Sequence, residues 1–455
     1  MEQIEERNDF LATEPVGRLL FRLSVPAVIA QLVNVLYNIV DRIYIGHIPG
    51  IGKLALTGVG VCMPLILVIS AFAALVAMGG APQATICMGR RENGKAERIL
   101  GNCTALLVLM SVALTLVLLL WCKPLLLMFG ASENTIGYAQ DYMRIYAAGT
   151  LFVQLALGLN AFISAQGFTK TSMYSVLIGA VLNILLDPLF IFVFDMGVKG
   201  AALATVISQA VSAAWVVWFL LSEGTILRIR AACLKVSWAV VGPCMALGLS
   251  PFIMQVTESA IAICFNSSLL RYGGDTAVGA MTILTSLMQF SMMPLRGLTQ
   301  GAQPITSYNF GAGNPGRVKE SFWVLLKASL IYSALLWALI MAFPELFART
   351  FTPDAELIAY TAWAGRIYFA VSALFGIQLA CQQTLISIGN AKTSTFLALF
   401  RKVIVLIPLI YILPLLFSNK AMAVYLAEPI ADFLAVTVTS ILFAVQFKRA
   451  LAQMG

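Results

Sequence analysis

Charge is scarce in this chain. Only 11% of its 455 residues are Asp, Glu, Lys or Arg, against about 25% in a soluble domain, so an ordinary water-soluble globule is excluded. Histidine is nearly absent: the one copy, His47, falls in a short predicted loop. With no paired His/Asp or Cys/His arrangement and no metal-ligand spacing, acid–base catalysis and a metal centre have little to be built from. No enzymatic activity, no metal and no cofactor are expected. The eight cysteines are scattered without a C-x-x-C pair and read as free thiols packed among helices. The first residues, with Glu2, Glu5, Glu6 and Asp9, lack the basic start and short apolar core of a cleaved signal peptide.

What the chain has instead is apolar length. Hydrophobic residues make up 60% of it. Runs long enough to cross the hydrocarbon, which takes about 20 residues each, fall near 19–45, 55–82, 98–121, 137–161, 172–194, 200–221, 238–269, 276–299, 320–344, 357–386, 394–417 and 421–446. In lipid the backbone must satisfy its own hydrogen bonds, which favours helices over open sheet. The expected fold is an all-α integral membrane protein with twelve transmembrane helices.

Basic residues set its expected orientation. The termini and alternate loops, among them Arg7, Arg90, Arg91, Lys95, Arg317, Arg401 and Lys402, carry 18 Lys and Arg, and the opposite side carries 7. Both termini are therefore expected in the cytoplasm of a plasma-membrane protein. The net charge of +8 reads as this orientation signal, not as a nucleic-acid footprint.

The stretch "GRRENGK" at 89–95 has the G-x-x-x-x-G-K spacing of a phosphate-binding loop. Residue 96 is alanine where a magnesium-binding hydroxyl belongs, and the stretch follows a membrane helix rather than a strand. It also recurs: "GAGNPGR" stands at 311–317, 222 residues on. At the same offset "RIY" (144–146) recurs at 366–368, "GFTKTS" (167–172) as "GNAKTS" (389–394), and "GKLAL" (52–56) as "GDTAV" (274–278). The reading is a turn whose glycines bend the chain tightly, present in both copies of a duplicated six-helix unit. The expected division is an N-terminal lobe over 1–221, a cytoplasmic linker over 222–236 and a C-terminal lobe over 237–455. Six helices per copy give both lobes the same orientation, a parallel repeat of the kind found in secondary transporters.

Acids inside membrane helices are expensive and mark candidate sites. In the first predicted helix Gln31, Asn34, Asn38 and Asp41 share one face by their spacing of three, four and three. In the fifth, Asn183 and Asp187 lie one turn apart. By residue count both acids sit in the same half of the bilayer and can share a pocket. The plain alternatives are an interfacial ion pair of Asp41 with Arg42 and a helix cap by Asp187 before Pro188. The repeat argues against them, because Asp41 corresponds to Asn266, and Asn183 and Asp187 to Val405 and Leu409. In the second copy Glu258, with Gln255 beside it, is expected to face a central cavity and attract cations. Glu428 and Asp432, around Pro429, mark a kinked structural site or a functional one. Met173 is a candidate for a yielding apolar pocket wall.

The repeated glycine–basic turn, "NIVDRIYIG" at the end of helix 1 and "NILLDP" in helix 5 resemble the multidrug and toxic compound extrusion (MATE) family, its MepA-like branch above all. The resemblance covers nearly the whole chain. It implies that Asp41, Asn183, Asp187 and Thr205 form a cation-coupling group in the N-terminal lobe. The candidate substrate-binding residues are Asn34, Asn38, Met173, Gln255 and Glu258. A sodium site in the other lobe is not expected, since helix 10 offers Gln378, Gln382 and Gln383 where an acid would stand. The activity implied is efflux of lipophilic cationic drugs in exchange for protons or sodium ions, by a monomer in the bilayer. A flippase for a lipid-linked oligosaccharide or peptidoglycan precursor is the alternative.

Overall fold

A computed structural model describes residues 9–454 of the chain. Arg7 and the acids at 2, 5 and 6 lie outside the described residues. Among those described, the ordered elements are all helical.

Helix α1 spans Val16–Gly46, α2 Gly52–Gly89 and α3 Asn93–Leu120. Helix α4 is a bent pair, Ile136–Ala148 with Thr150–Ala165, turning 57° at the break. Helix α5 runs over Thr169–Val193, its last turn being a π-helical segment, and α6 over Gly197–Leu221. The segment Trp238–Gly311 is 74 residues long, far more than one crossing needs. It breaks at Gly274 (φ 68°, ψ −164°) into two spans, α7 before the break and α8 after it. Helix α9 is Pro315–Ala342, α10 a second bent pair, Ala355–Tyr368 with Ser372–Ser387 (51°), α11 Ala391–Leu416 and α12 Lys420–Ala452. These are the twelve spans read from the apolar runs. Side-chain caps start several of them: Asp354 accepts from the amides of Glu356 and Leu357 at 2.9 and 3.4 Å, and Asn419 from that of Met422 at 3.0 Å.

The duplication is visible in the backbone. Left-handed residues recur at the offset of 222: Arg91 with Gly313, and Gly167 with Gly389. Bent α4 and bent α10 correspond in the same way.

The glycine-rich turn is not made as its sequence suggests. Helix α2 extends to Gly89 and α3 begins at Asn93, so the connection is only Arg90–Glu92, with Arg91 taking the left-handed conformation. Gly94 lies in the first turn of α3, with open space around it. Gly89 serves the approach of two helices: a Cβ there would overlap the carbonyl of Tyr308, and one at Gly311 that of Ile86. Position 86 corresponds to 308 and 89 to 311, so α2 and α8 cross in reciprocal contact. Further along, Gly79 and Gly248 bring α2 against α7, and Gly297 and Gly301 bring α8 against Val28 and Ser24 of α1.

These contacts join the lobes at one end only. The largest core draws on both halves, combining Leu19, Val76, Met88 and Phe162 with Cys244, Ile305, Tyr308 and Phe443. At the opposite end the core divides. One cluster, around Ile45, Val59, Tyr142 and Ala201, belongs to the first lobe alone, and another, around Phe265, Leu284, Tyr425 and Ala431, to the second. The outcome is two bundles held together at the 90/312 end and separate beyond it. The segment between α6 and α7 lies on the first lobe, where Gln166 Oε1 accepts from the amides of Ile226 and Leu227 at 2.9 and 2.8 Å.

The crossing makes a directional prediction. Gly89→Ala or Gly311→Ala forces the two helices apart and should lower stability by about 1–3 kcal/mol, the usual range for overpacking. Gly94→Ala, in open helical space, should be neutral or stabilising by up to about 1 kcal/mol. Thermal unfolding of the purified variants in detergent checks both.

Candidate functional site

In the first lobe α1, α5 and α6 bring four polar side chains to one place. Asp41 is 8% exposed, Asn183 2% and Asp187 fully buried. Asn183 Nδ2 donates to Asp187 Oδ1 at 3.2 Å and to Thr205 Oγ1 at 3.4 Å, while Thr205 itself donates to the Ala201 carbonyl at 3.0 Å. The carboxyls of Asp41 and Asp187 lie within hydrogen-bonding reach of each other. Arg42 is exposed and forms no salt bridge with Asp41, and α5 continues through Pro188 into its π turn, so Asp187 caps no helix break. Neither plain alternative describes these acids.

Three oxygens in this group have no hydrogen-bond partner: Asp41 Oδ1, Asn183 Oδ1 and Asp187 Oδ2. All are buried acceptors, and no Lys or Arg side chain forms a salt bridge with either carboxylate among the described residues. Two carboxylates this close repel strongly where water is scarce. Acceptors of this kind are completed by a proton, a cation or another hydrogen-bond donor. The group borders a small pocket of about 50 Å³, lined by Asn34, Tyr37, Asn160, Asn183, Thr205 and Gln209 among others.

Of the residues read from the sequence, Asp41, Asn183, Asp187, Thr205 and Asn34 therefore stand together. Asn38 adjoins them, its side-chain amide donating to the Asn34 carbonyl. Met173 is half-buried on α5 and does not line the pocket, and Gln255 and Glu258 lie in the other lobe. The sequence reading missed three members, Tyr37, Tyr142 and Gln209. Tyr37 is within reach of Asn38 and Gln209, and buried Tyr142 within reach of Thr205. Tyr37 shares the polar stripe, four residues before Asp41, but an aromatic on a membrane helix is discounted as packing.

The second lobe corrects two expectations. Arg401 and Lys402, counted above with the cytoplasmic loops, lie inside α11, with Lys402 about 16 Å along it by helical rise. They are ion-paired: Arg401 Nε and Nη2 reach Asp432 Oδ1 at 2.7 Å, and Nη2 also reaches Glu428 Oε1 at 3.3 Å. Lys402 Nζ donates to Glu258 Oε1 at 2.8 Å. One oxygen of Glu258 is thus engaged by Lys402, so the carboxylate expected to attract cations is already ion-paired, although its side chain stays half exposed. The two basic residues sit in a π-helical stretch, Phe400–Leu406, and neighbouring positions there serve different partners, α12 and α7. Their place inside an apolar run was the available signal. Snorkelling toward the interface is the usual fate of such residues, and here paired acids hold them in. Among the described residues no group of three or more His, Cys, Asp or Glu side chains is placed to hold a metal ion.

Comparison with known proteins follows these features. The profile of the MatE family matches residues 26–189 and 251–412, one block in each lobe. The multidrug export protein MepA of Staphylococcus haemolyticus (strain JCSC1435) is 23% identical over 433 residues, 95% of each chain. The MATE multidrug transporter DinF-BH, solved in complex with a small molecule, is 36% identical, with a TM-score of 0.87 over 95% of this chain and 96% of that one. A multidrug resistance MATE family transporter solved in an outward-facing conformation superposes with a TM-score of 0.90 at 22% identity, covering 97% of this chain and 98% of the other.

The C-lobe ion network generates its own prediction. Arg401→Met leaves Glu428 and Asp432 buried without their countercharge and should cost about 3–5 kcal/mol. Adding Glu428→Gln and Asp432→Asn should restore most of the loss, since the neutral set strands no charge. Thermal unfolding in detergent compares the single and triple variants; equal stability of Arg401→Met and the parent protein contradicts the assignment.

Proposed function

The chain belongs to the MatE family, whose members are transporters rather than enzymes, and from that premise we propose that it is a secondary active multidrug antiporter. It exports lipophilic organic cations in exchange for protons or sodium ions by alternating access, across the plasma membrane. The multidrug names carried by its relatives support this reading.

One observation carries the coupling assignment: two buried carboxylates in mutual reach, with three unpartnered oxygens around them and no basic side chain bridging them. Such a group takes up one positive charge readily. A proton joins Asp41 to Asp187 by a hydrogen bond, whereas a sodium ion takes the same oxygens, with Asn183 and Thr205, as hard ligands. An occupied pair is close to neutral and an empty pair is not. That change alters how α1, α5 and α6 pack around the pocket beside Asn34 and Asn38, where we place the cationic substrate. Loading of the pair from outside then favours release of the drug.

The division of the cores supports the alternating movement. The lobes meet through the glycine contacts at the 90/312 end and part beyond it. With the termini in the cytoplasm, the joined end is the inner one and the cleft opens outward. We take residues 1–221 and 237–455 as the moving lobes and 222–236 as their cytoplasmic connection, in a protein that works as a monomer. A lipid-linked oligosaccharide flippase is not favoured: a pyrophosphate calls for several arginines in the cavity, and Arg401 is held by both Glu428 and Asp432.

Two expected outcomes test the proposal. Asp41→Asn and Asp187→Asn keep side-chain shape but remove the charge change, so each should abolish gradient-driven drug export in proteoliposomes while leaving the protein folded. Wild-type export by the double variant refutes the coupling assignment. For the orientation, a cysteine placed at residue 93 should resist impermeant thiol reagents in intact cells and react once the membrane is opened.

A further inference from the structure

The Lys402–Glu258 pair is unequal. The Lys402 side chain is 7% exposed and that of Glu258 48%. Lys402 stands at the middle of α11, so its charge has little water to fall back on. Glu258 stands on α7 with one side open. Arg296 of α8 is also near Glu258, and the residue after it, Gly297, packs directly on Val28 of α1 in the other lobe. Arg296 is exposed and makes no salt bridge of its own among the described residues.

The difference in exposure decides which group a ligand can replace. A cation that takes the place of Lys402 on Glu258 leaves a buried ammonium unpaired, which is the costly half of breaking such a bridge. An anion binding Lys402 releases Glu258 toward water, where a carboxylate is readily solvated, and it gains Arg296 as a second cation. Exchange at this site is therefore favourable for an incoming anionic group and unfavourable for a cationic one. The first lobe is the reverse, offering carboxylates without a bridging basic partner.

We propose that Lys402, with Arg296 beside it, is an anion subsite closed by Glu258 as a resident stand-in, and that the preferred cargo is zwitterionic. Its cationic part lies toward the pocket of the first lobe, and its carboxylate displaces Glu258 from Lys402. No bond is made or broken; one ion pair replaces another. This inference rests on the transport reading above and narrows its substrate class.

The test compares two forms of one dye, a rhodamine ethyl ester (a fixed monocation) and the corresponding free acid (a zwitterion). Binding to the purified full-length protein is followed by fluorescence anisotropy at neutral pH. Lys402→Met should weaken the acid about tenfold, the size expected for losing a charge-assisted contact, and leave the ester unchanged or tighter. Glu258→Gln should tighten the acid. The double variant Lys402→Met/Glu258→Gln strands no charge and should lose the acid as the single does, which decides the matter if the single folds poorly. An unaltered acid-to-ester ratio in the double variant, or equal weakening of both dyes, overturns the proposal. Because the assay needs no ion gradient, failure of the Asp41 and Asp187 coupling assignment leaves its outcome untouched.

Discussion

The structure depends on the crossing of α2 and α8, where Gly89 and Gly311 let two backbones touch. Each glycine meets a carbonyl of the opposite helix, that of Tyr308 or that of Ile86, so the contact is the same from either side. A side chain at either position would hold the helices apart, and the shared core around Met88 and Tyr308 could not close. Close approach of small residues is the usual means of joining helices in lipid, where apolar surface gains little by leaving its surroundings. Because the contact is confined to one end, it also leaves the lobes free of each other at the other end. A joined end and a divided one are consequences of the same packing.

On that symmetric frame the two lobes carry different charges. Arg401 and Lys402 correspond to Gly179 and Ala180 in the first copy, and Glu428 and Asp432 to Val206 and Ala210. In the other direction Asn183 and Asp187 face Val405 and Leu409. The first lobe holds carboxylates that lack a bridging basic partner, and the second holds carboxylates matched to basic residues within 3.3 Å. A duplicated scaffold permits this, since each copy needs only one of the two arrangements. In our reading the unmatched lobe takes the ion that drives transport and the matched lobe reads the cargo.

Matched charges also differ in what they permit. Arg401 is enclosed by both of its acids, with exposures of 15%, 6% and 3% for Arg401, Glu428 and Asp432, and behaves as a brace between α11 and α12. Lys402, one residue on, is covered by an acid that is itself half exposed. The π-helical stretch makes that contrast possible by aiming consecutive residues at separate helices.

Much of this was legible in the chain itself. Apolar length determined the twelve spans, because the hydrocarbon thickness leaves the backbone few alternatives. The shared offset of 222 determined the duplication, and the spacing of Asn34, Asn38 and Asp41 put them on one helix face, since helical period is a local property. Which helices meet is not local. The loop glycines looked like turn formers, and only the crossing with α8 revealed Gly89 as a contact. Arg401 and Lys402 looked like loop charges, and only the acids of α7 and α12, 27 or more residues away in sequence, hold them inside the membrane. Sequence determines what each helix can bury, whereas the pairing of one buried charge with another depends on neighbours that folding alone supplies.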